Sequence, residues 1–188
     1  MNVYDFDKTI YYDDSTVDFC KYCIRRRPSC LLTLPGSLAA LLRYKAGRLN
    51  KTEMKQIFYR LLRHTGGTER MIADFWQQNE GKLKQWYLRR WRKDDVIISA
   101  SPEFLLRPVC DRLGVTLIAS RVDPDTGEYS GLNCDGREKV RRFRELFPDA
   151  VIDEFYSDSH SDDPLARIAK RAFMVRGDTL SPWRFEDD

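Results

Sequence analysis

The sequence predicts an α/β fold in which a parallel sheet, covered by helices on both faces, is interrupted by an all-helical insertion. Three observations predict it. Short apolar runs alternate with helical periodicity near the N-terminus and again from residue 94 onward, the pattern of strand–helix–strand units. Residues 15–93 between them carry helical periodicity alone. Charge divides at the same boundaries: this stretch holds 18 Lys and Arg against 5 Asp and Glu, a balance of +13, while the remainder holds 14 against 24, a balance of −10. A chain of 188 residues with 42% apolar composition and 12% aromatics can bury one large or two small cores, which excludes a disordered chain. We therefore expect a core of residues 1–13 and 94–188 and a helical domain of residues 14–93 inserted into it.

The first strand is very short, residues 2–6. Ser15 is read as the N-cap of an amphipathic helix that carries Val17, Phe19, Cys20, Cys23 and Ile24 and stops at Pro28. Further helices are expected at 38–44, 51–64, 69–79 and 82–91, with a break at Gly66 and Gly67. The core resumes at 95–99, DVIIS, whose β-branched run suits a buried parallel strand. A helix at 102–113 and a strand at 115–119 follow. RVDPDTGEYSG reads as a hairpin turning at Asp125, Thr126 and Gly127. Then come a helix at 137–146, a strand at 151–156, a helix at 164–170 and a last strand at 172–175.

Composition also bears on location. The longest mostly apolar stretch, 31–42, falls short of the ~20 residues a spanning helix needs and is interrupted by Pro35 and Gly36. MNVYDFDKTI lacks the basic start and apolar run of a secretion signal. The five cysteines are an odd, scattered set that fits free thiols, and a cytoplasmic protein is expected. Cys20 and Cys23 sit in an expected helix with only Cys30 nearby, so zinc or redox chemistry is not expected of them.

In a parallel α/β sheet, ligands bind beyond the carboxyl ends of the strands. Asp5 and Asp7 follow the first strand, separated by one residue and so directed to the same side of an extended chain. Ser99, Ala100 and Ser101 follow the second. Lys139 lies at the start of a helix, and Asp158, Asp162 and Asp163 follow the fourth strand. Carboxylates brought this close repel unless a cation lies between them, and an oxygen-only set suits magnesium rather than zinc. A lysine and a hydroxyl beside that metal would hold a phosphoryl group.

DFDKT at 5–9, IISAS ending the second strand, Lys139 within GREKV and YSDSHSDDPL at 156–165 resemble the four motifs of haloacid dehalogenase superfamily phosphatases. The helical insertion after the first motif resembles the cap of the phosphoserine phosphatase-like branch. The resemblance implies a three-layer Rossmann-like core and a magnesium-dependent phosphomonoester hydrolase. Asp5 would be the nucleophile that forms an aspartyl phosphate, and Asp7 the general acid and then base. Ser99 would bond a phosphoryl oxygen, helped by backbone amides of Phe6, Asp7 and Ala100, and Lys139 would neutralise nucleophile and phosphate. Magnesium would take Asp5, the Asp7 carbonyl and Asp158, with Asp162 orienting Lys139 or a metal-bound water. Asp163 has no family role but could replace Asp162 under a one-residue shift. The small glycine usual after the fourth motif's first aspartate is Ser159 here, followed by the bulkier His160.

Ordinary explanations compete for the other residues. His64 and His160 read as surface or loop residues. Asp13 and Asp14 precede the insertion, where the resemblance implies an acid meeting a substrate ammonium, but the helix dipole explains an acid there equally well. Arg25, Arg26 and Arg27 read as a solvated face, or as part of an attraction for anions. The expected substrate is a small phosphorylated metabolite such as a phosphoamino acid. The alternative within the class is an anionic lipid phosphate at a membrane surface, prompted by Leu31, Leu32, Leu34, Leu38, Leu41 and Leu42 beside many arginines; packing of the cap on the core is the more ordinary reading of those leucines. A catalytically silent phosphate or nucleic-acid binding protein is disfavoured by the intact Asp5 and Asp7, and no nucleic-acid partner is expected.

Overall fold

Short strands buried on both faces set the architecture. In the computed structural model, which describes residues 1–185, β1 (Asn2–Tyr4), β2 (Val96–Pro102), β3 (Thr116–Ser120), β4 (Ile152–Ser157), β5 (Ala169–Arg176) and β6 (Thr179–Pro182) form one sheet in the order β3-β2-β1-β4-β5-β6. The first five are parallel, and β6 returns antiparallel along the edge. Val3, Val96, Ile98, Ile118 and Phe155 face one side; Tyr4, Ile97, Leu117 and Tyr156 face the other. Each such fully buried side chain contributes ~1.5–3 kcal/mol of apolar burial.

Helices cover both faces. α7 (Arg137–Leu146) and α8 (Asp163–Ala166) place Phe143, Leu165 and Ala166 against the first. α6 (Glu103–Leu113) buries Leu105, Leu106, Val109 and Cys110 against the second and ends at Gly114, whose φ of 67° is the left-handed cap that glycine adopts without a Cβ penalty.

The helices of the segment between β1 and β2 are α1 (Ser15–Arg26), a 3-10 helix (Pro28–Thr33), α2 (Leu34–Lys45), α3 (Lys51–Tyr59) extended by a second 3-10 helix (Arg60–His64), α4 (Thr68–Asn79) and the short α5 (Gln85–Leu88), and the segment holds no strand among the described residues beyond isolated bridges. Asn50 and Glu53 close a capping box that starts α3. Phe19, Phe75, Trp76 and Tyr87 join the same apolar cluster as Ile97 and Leu105, and the Trp76 indole donates to the Leu105 carbonyl at 2.6 Å.

Local expectations gave way in four places. Asp14, not Ser15, is the N-cap of α1: its side chain accepts from Val17 N at 2.9 Å, while Ser15 N donates to Asp7. The helix expected at 82–91 shrinks to α5 because Leu83 pairs with Tyr11 and Lys84 N bonds the Ile10 carbonyl, which holds that stretch extended. The helix expected at 164–170 stops at Ala166 because Ala169 already pairs with Ile152 of β4. β6 was not expected at all; Gly177, at φ 59°, turns the chain into it. All five cysteines are free, and among the described residues no helix is long and apolar enough to cross a membrane.

Candidate active site

The connections leaving β1 and β4 run to opposite faces of the sheet, which opens a crevice at the carboxyl ends of these neighbouring strands. Asp5, Asp7, Ser99, Ala100, Lys139, Asp158 and Asp162 all border it, in a cleft of about 470 Å3 that residues of the helical segment also line. Phe6 does not line the cleft: its ring is buried against Tyr11 and Trp76, and so anchors the turn that carries both aspartates. That turn is tight. Lys8 has φ 57°, and the amides of Thr9, Ile10 and Tyr11 all converge on the Phe6 carbonyl.

At the cleft floor the Lys139 ammonium is 2.7 Å from Asp5 Oδ1 and 2.7 Å from Asp162 Oδ2. Ser157 donates to the same Asp162 oxygen at 2.7 Å, and Thr9 donates to Asp5 Oδ2 at 3.3 Å. Burial acts to lower the Lys139 amine, but Asp162 and Asp5 outweigh it and hold the ammonium well above its usual range. Burial pushes the Asp5 carboxyl up to about 7; Lys139 opposes this, and the Asp162 charge adds to it. One lysine therefore does not fully offset the burial of Asp5.

Asp7 stands in a different setting. Its carboxylate accepts from Ser15 N at 2.6 Å and from the Ser101 hydroxyl. Burial, followed by repulsion from Asp14, raises it to about 6 in spite of these bonds. Because Ser101 spends its proton on Asp7, its 2.8 Å contact with Thr16 makes Thr16 the donor, a link between β2 and α1. Ser99 is buried at the cleft wall and accepts from Ser101 N at 3.1 Å.

The fourth motif separates into an inner and an outer acid. Asp162 reaches Lys139, whereas Asp163 turns outward to the Trp183 indole at 2.8 Å and to His160 at 3.2 Å. Asp13 also turns away, pairing with Lys82, while Asp14 borders the cleft as well as capping α1. His64 lies in the second 3-10 helix, outside the cleft lining. Ser101 was expected only as a residue following the second strand, with no role assigned, and Thr16 and Lys55 were not expected at the site. Lys55 descends from α3 to the Ala100 carbonyl at 3.0 Å and Asn133 at 3.2 Å, and burial, then Lys51, lowers its amine. Its place in an amphipathic helix gives no sign of that reach.

The donor chemistry suits a hard cation. Among the described residues no three His, Cys, Asp or Glu side chains group closely enough to hold a metal between them. Magnesium asks for less: one or two carboxylates, with water and substrate oxygens completing its shell. Asp5 and Asp158 border the cleft, Asp158 is raised mainly by burial, and Asp162 Oδ1 is buried with no partner among the described residues. This concentration of poorly compensated carboxylate is what a divalent cation relieves.

A model of haloacid dehalogenase-like hydrolases matches residues 3–167. The chain belongs to that family. Protein CicA of Caulobacter vibrioides is 28% identical over 182 residues, spanning 88% of this chain and 81% of that protein. Among solved structures, a protein of unknown function from Bordetella pertussis Tohama I superposes with a TM-score of 0.74 at 20% identity, over 92% of this chain and 87% of its own. A phosphoserine phosphohydrolase-like protein from Francisella tularensis gives 0.56 at 15% identity, over 92% and 86%. A probable phosphoserine phosphatase from Vibrio cholerae gives 0.62 at 11%, over 91% and 55%. The family match runs from β1 to the end of α8, and so contains every motif residue of the cleft.

Proposed function

We propose that this hydrolase is a magnesium-dependent phosphomonoesterase that works through an aspartyl phosphate on Asp5. The observation that carries the reading is the buried Lys139 ammonium clamped between Asp5 and Asp162 at the floor of a cleft that Asp7 and Ser99 also border. Lys139 favours the ionised, nucleophilic form of Asp5 against the cost of burial, a charge balance that a bound cation would complete, and faces the incoming phosphoryl charge. Asp5 attacks phosphorus, and the bond from phosphorus to the leaving oxygen breaks. Asp7, raised to about 6, gives its proton to that oxygen. Asp7 then takes a proton from the water that attacks phosphorus, which frees Asp5 and inorganic phosphate. Ser99 and the amides beside Asp7 and Ala100 bind phosphoryl oxygens. Asp5, the Asp7 carbonyl and Asp158 would hold magnesium, which when bound neutralises phosphoryl charge.

The helices of residues 14–93 act in this reading as a specificity cap. They give the cleft an apolar wall of Val17, Cys20, Leu41, Met54 and Phe58, with Lys51 and Lys55 beside it. A cleft of about 470 Å3 fits a phosphorylated metabolite. Asp14 is available to a substrate ammonium such as that of a phosphoamino acid, and the apolar wall favours a leaving group with hydrocarbon of its own.

The test is hydrolysis of para-nitrophenyl phosphate and a panel of metabolite phosphates with magnesium. Asp5→Asn should abolish turnover while circular dichroism and melting stay those of the parent, since the amide fills the same volume but cannot form the phosphoenzyme. Substantial hydrolysis by the folded variant would remove Asp5 as nucleophile. A chain that binds phosphate but turns over no member of the panel would be a binding protein.

A further inference from the structure

The leucines expected to pack the helical segment onto the core do not do so. Leu31 and Leu32 in the first 3-10 helix and Leu34, Leu38 and Leu42 along α2 are 46%, 75%, 46%, 60% and 60% exposed. Leu34, Leu38 and Leu42 recur every four residues and so share one face of α2. The opposite face turns inward through Ser37 and Ala40, and Leu41 reaches the cleft. A contiguous exposed apolar row of this kind is uncommon on a soluble domain.

Charge says what the row fits. Residues 19–52 contain eight Lys and Arg and not one Asp or Glu. Lys21 pairs with Asp18 and Lys51 with Asp135; the other six make no ion pair among the described residues. Those six bracket the leucines: Arg25, Arg26 and Arg27 end α1 just before them, and Arg43, Lys45 and Arg48 follow at the other end of α2. All six are exposed. A second copy of this surface would bring like charges together. A nucleic acid would satisfy the cations but leave the leucines in water. An anionic bilayer satisfies both, with hydrocarbon below the headgroups and phosphate among them. α2 has 12 residues, too few to cross and enough to lie in the interface.

We propose that the first 3-10 helix and α2 form a docking surface for anionic membranes. Leu41 borders the cleft from the same helix that carries Leu38 and Leu42 on its outer face, so docking brings the cleft close to the lipid surface. The proposal does not depend on the catalytic reading, and its test keeps the two apart.

Flotation of the full chain with vesicles of phosphatidylcholine, alone or mixed with phosphatidylserine, reads the binding, because neither lipid carries a phosphomonoester. Binding is expected on the mixed vesicles at low salt, weakening as ionic strength rises. Changing Arg25, Arg26 and Arg27 together to Gln should weaken it about 100-fold, from the usual gain per basic side chain at such a surface. Leu32→Gln, Leu38→Gln and Leu42→Gln combined should abolish flotation and leave para-nitrophenyl phosphate turnover as it was. Should that variant fail to fold, Leu32→Gln alone, at the most exposed of the five, should still weaken binding. No flotation with the mixed vesicles, or flotation untouched by both sets of changes, would overturn the proposal. So would a dimer that the leucine changes dissociate, or RNA binding that needs the arginines and not the leucines, if either occurs without vesicle binding.

Discussion

Asp5 and Asp7 are two residues apart on one turn, yet their partners are of different kinds. An ammonium holds Asp5, whereas Asp7 is held by a hydroxyl and an amide, neither of which carries charge. A carboxyl held by neutral donors and raised by burial is suited to give and take a proton. Ser101 donates to that acid, so if its part is to orient Asp7, Ser101→Ala should lower kcat about 10-fold with KM little changed, the kinetic equivalent of losing one hydrogen bond to a charged group. Steady-state kinetics on an alkyl phosphate would show it; a change confined to KM would assign Ser101 to substrate binding instead. Ser101 was legible as a residue near the second motif, but nothing in IISAS says which serine turns toward Asp7. The choice between Asp162 and Asp163 is of the same kind. Adjacent acids at the start of a short helix point different ways, and only the position of Lys139 on α7 tells them apart.

At the scale of elements, the hairpin after β3 closes onto α3. Gly127 adopts φ 76°, and a Cβ there would stand 2.3 Å from the Tyr59 carbonyl oxygen. Gly127→Ala should therefore cost about 2 to 4 kcal/mol, combining left-handed strain with overpacking against backbone. Urea unfolding reads this directly, and an unmoved midpoint would mean that the hairpin does not press on α3 in solution. α7 offers a second test. Glu138 is held down to about 2, first by its bond to Arg141 and then by Arg142. Its folded value lies below the ordinary 4.5, so this stabilisation is present above that pH and is lost as pH falls through about 2. The stability gap between the parent and Glu138→Gln should be widest above about pH 5 and should close on acidification, as thermal melts across pH would show.

At the scale of the whole molecule, one helix carries a dense row of the polar ties between the helical segment and the core, beside the apolar packing of α1 and α4. From α3 and its cap, Lys51 pairs with Asp135, Thr52 accepts from Asn133 N, Lys55 reaches Ala100, and Gln56 accepts from Tyr129 N; Arg63 beyond it pairs with Glu128. Beneath them lies the carboxylate cluster, whose repulsion is spread over β1, β4 and the start of α8. A cation bound there should stabilise the entire fold. Magnesium at about 100 times its Kd adds ~2.7 kcal/mol, or roughly 5 to 10 °C of melting temperature for a domain of this size. Chelation should abolish turnover, magnesium should restore it, and Asp158→Ala should lose the thermal shift. A shift that survives in Asp158→Ala would move the ligand to another carboxylate.

What the sequence by itself determined is the alternation of strands and helices through β5 and which polar residues follow the strands. Short apolar and β-branched runs, helical periodicity and turn residues are local signals, and the four motifs sit beside them in the chain. The tertiary structure alone decided where helices had to yield to pairing, as at Leu83 and Ala169, since a backbone amide commits to the partner that packing brings to it. It also decided that Lys55 reaches the cleft and that five leucines remain in water. An amphipathic pattern states that a helix has two faces; what each face meets depends on segments far away in the chain.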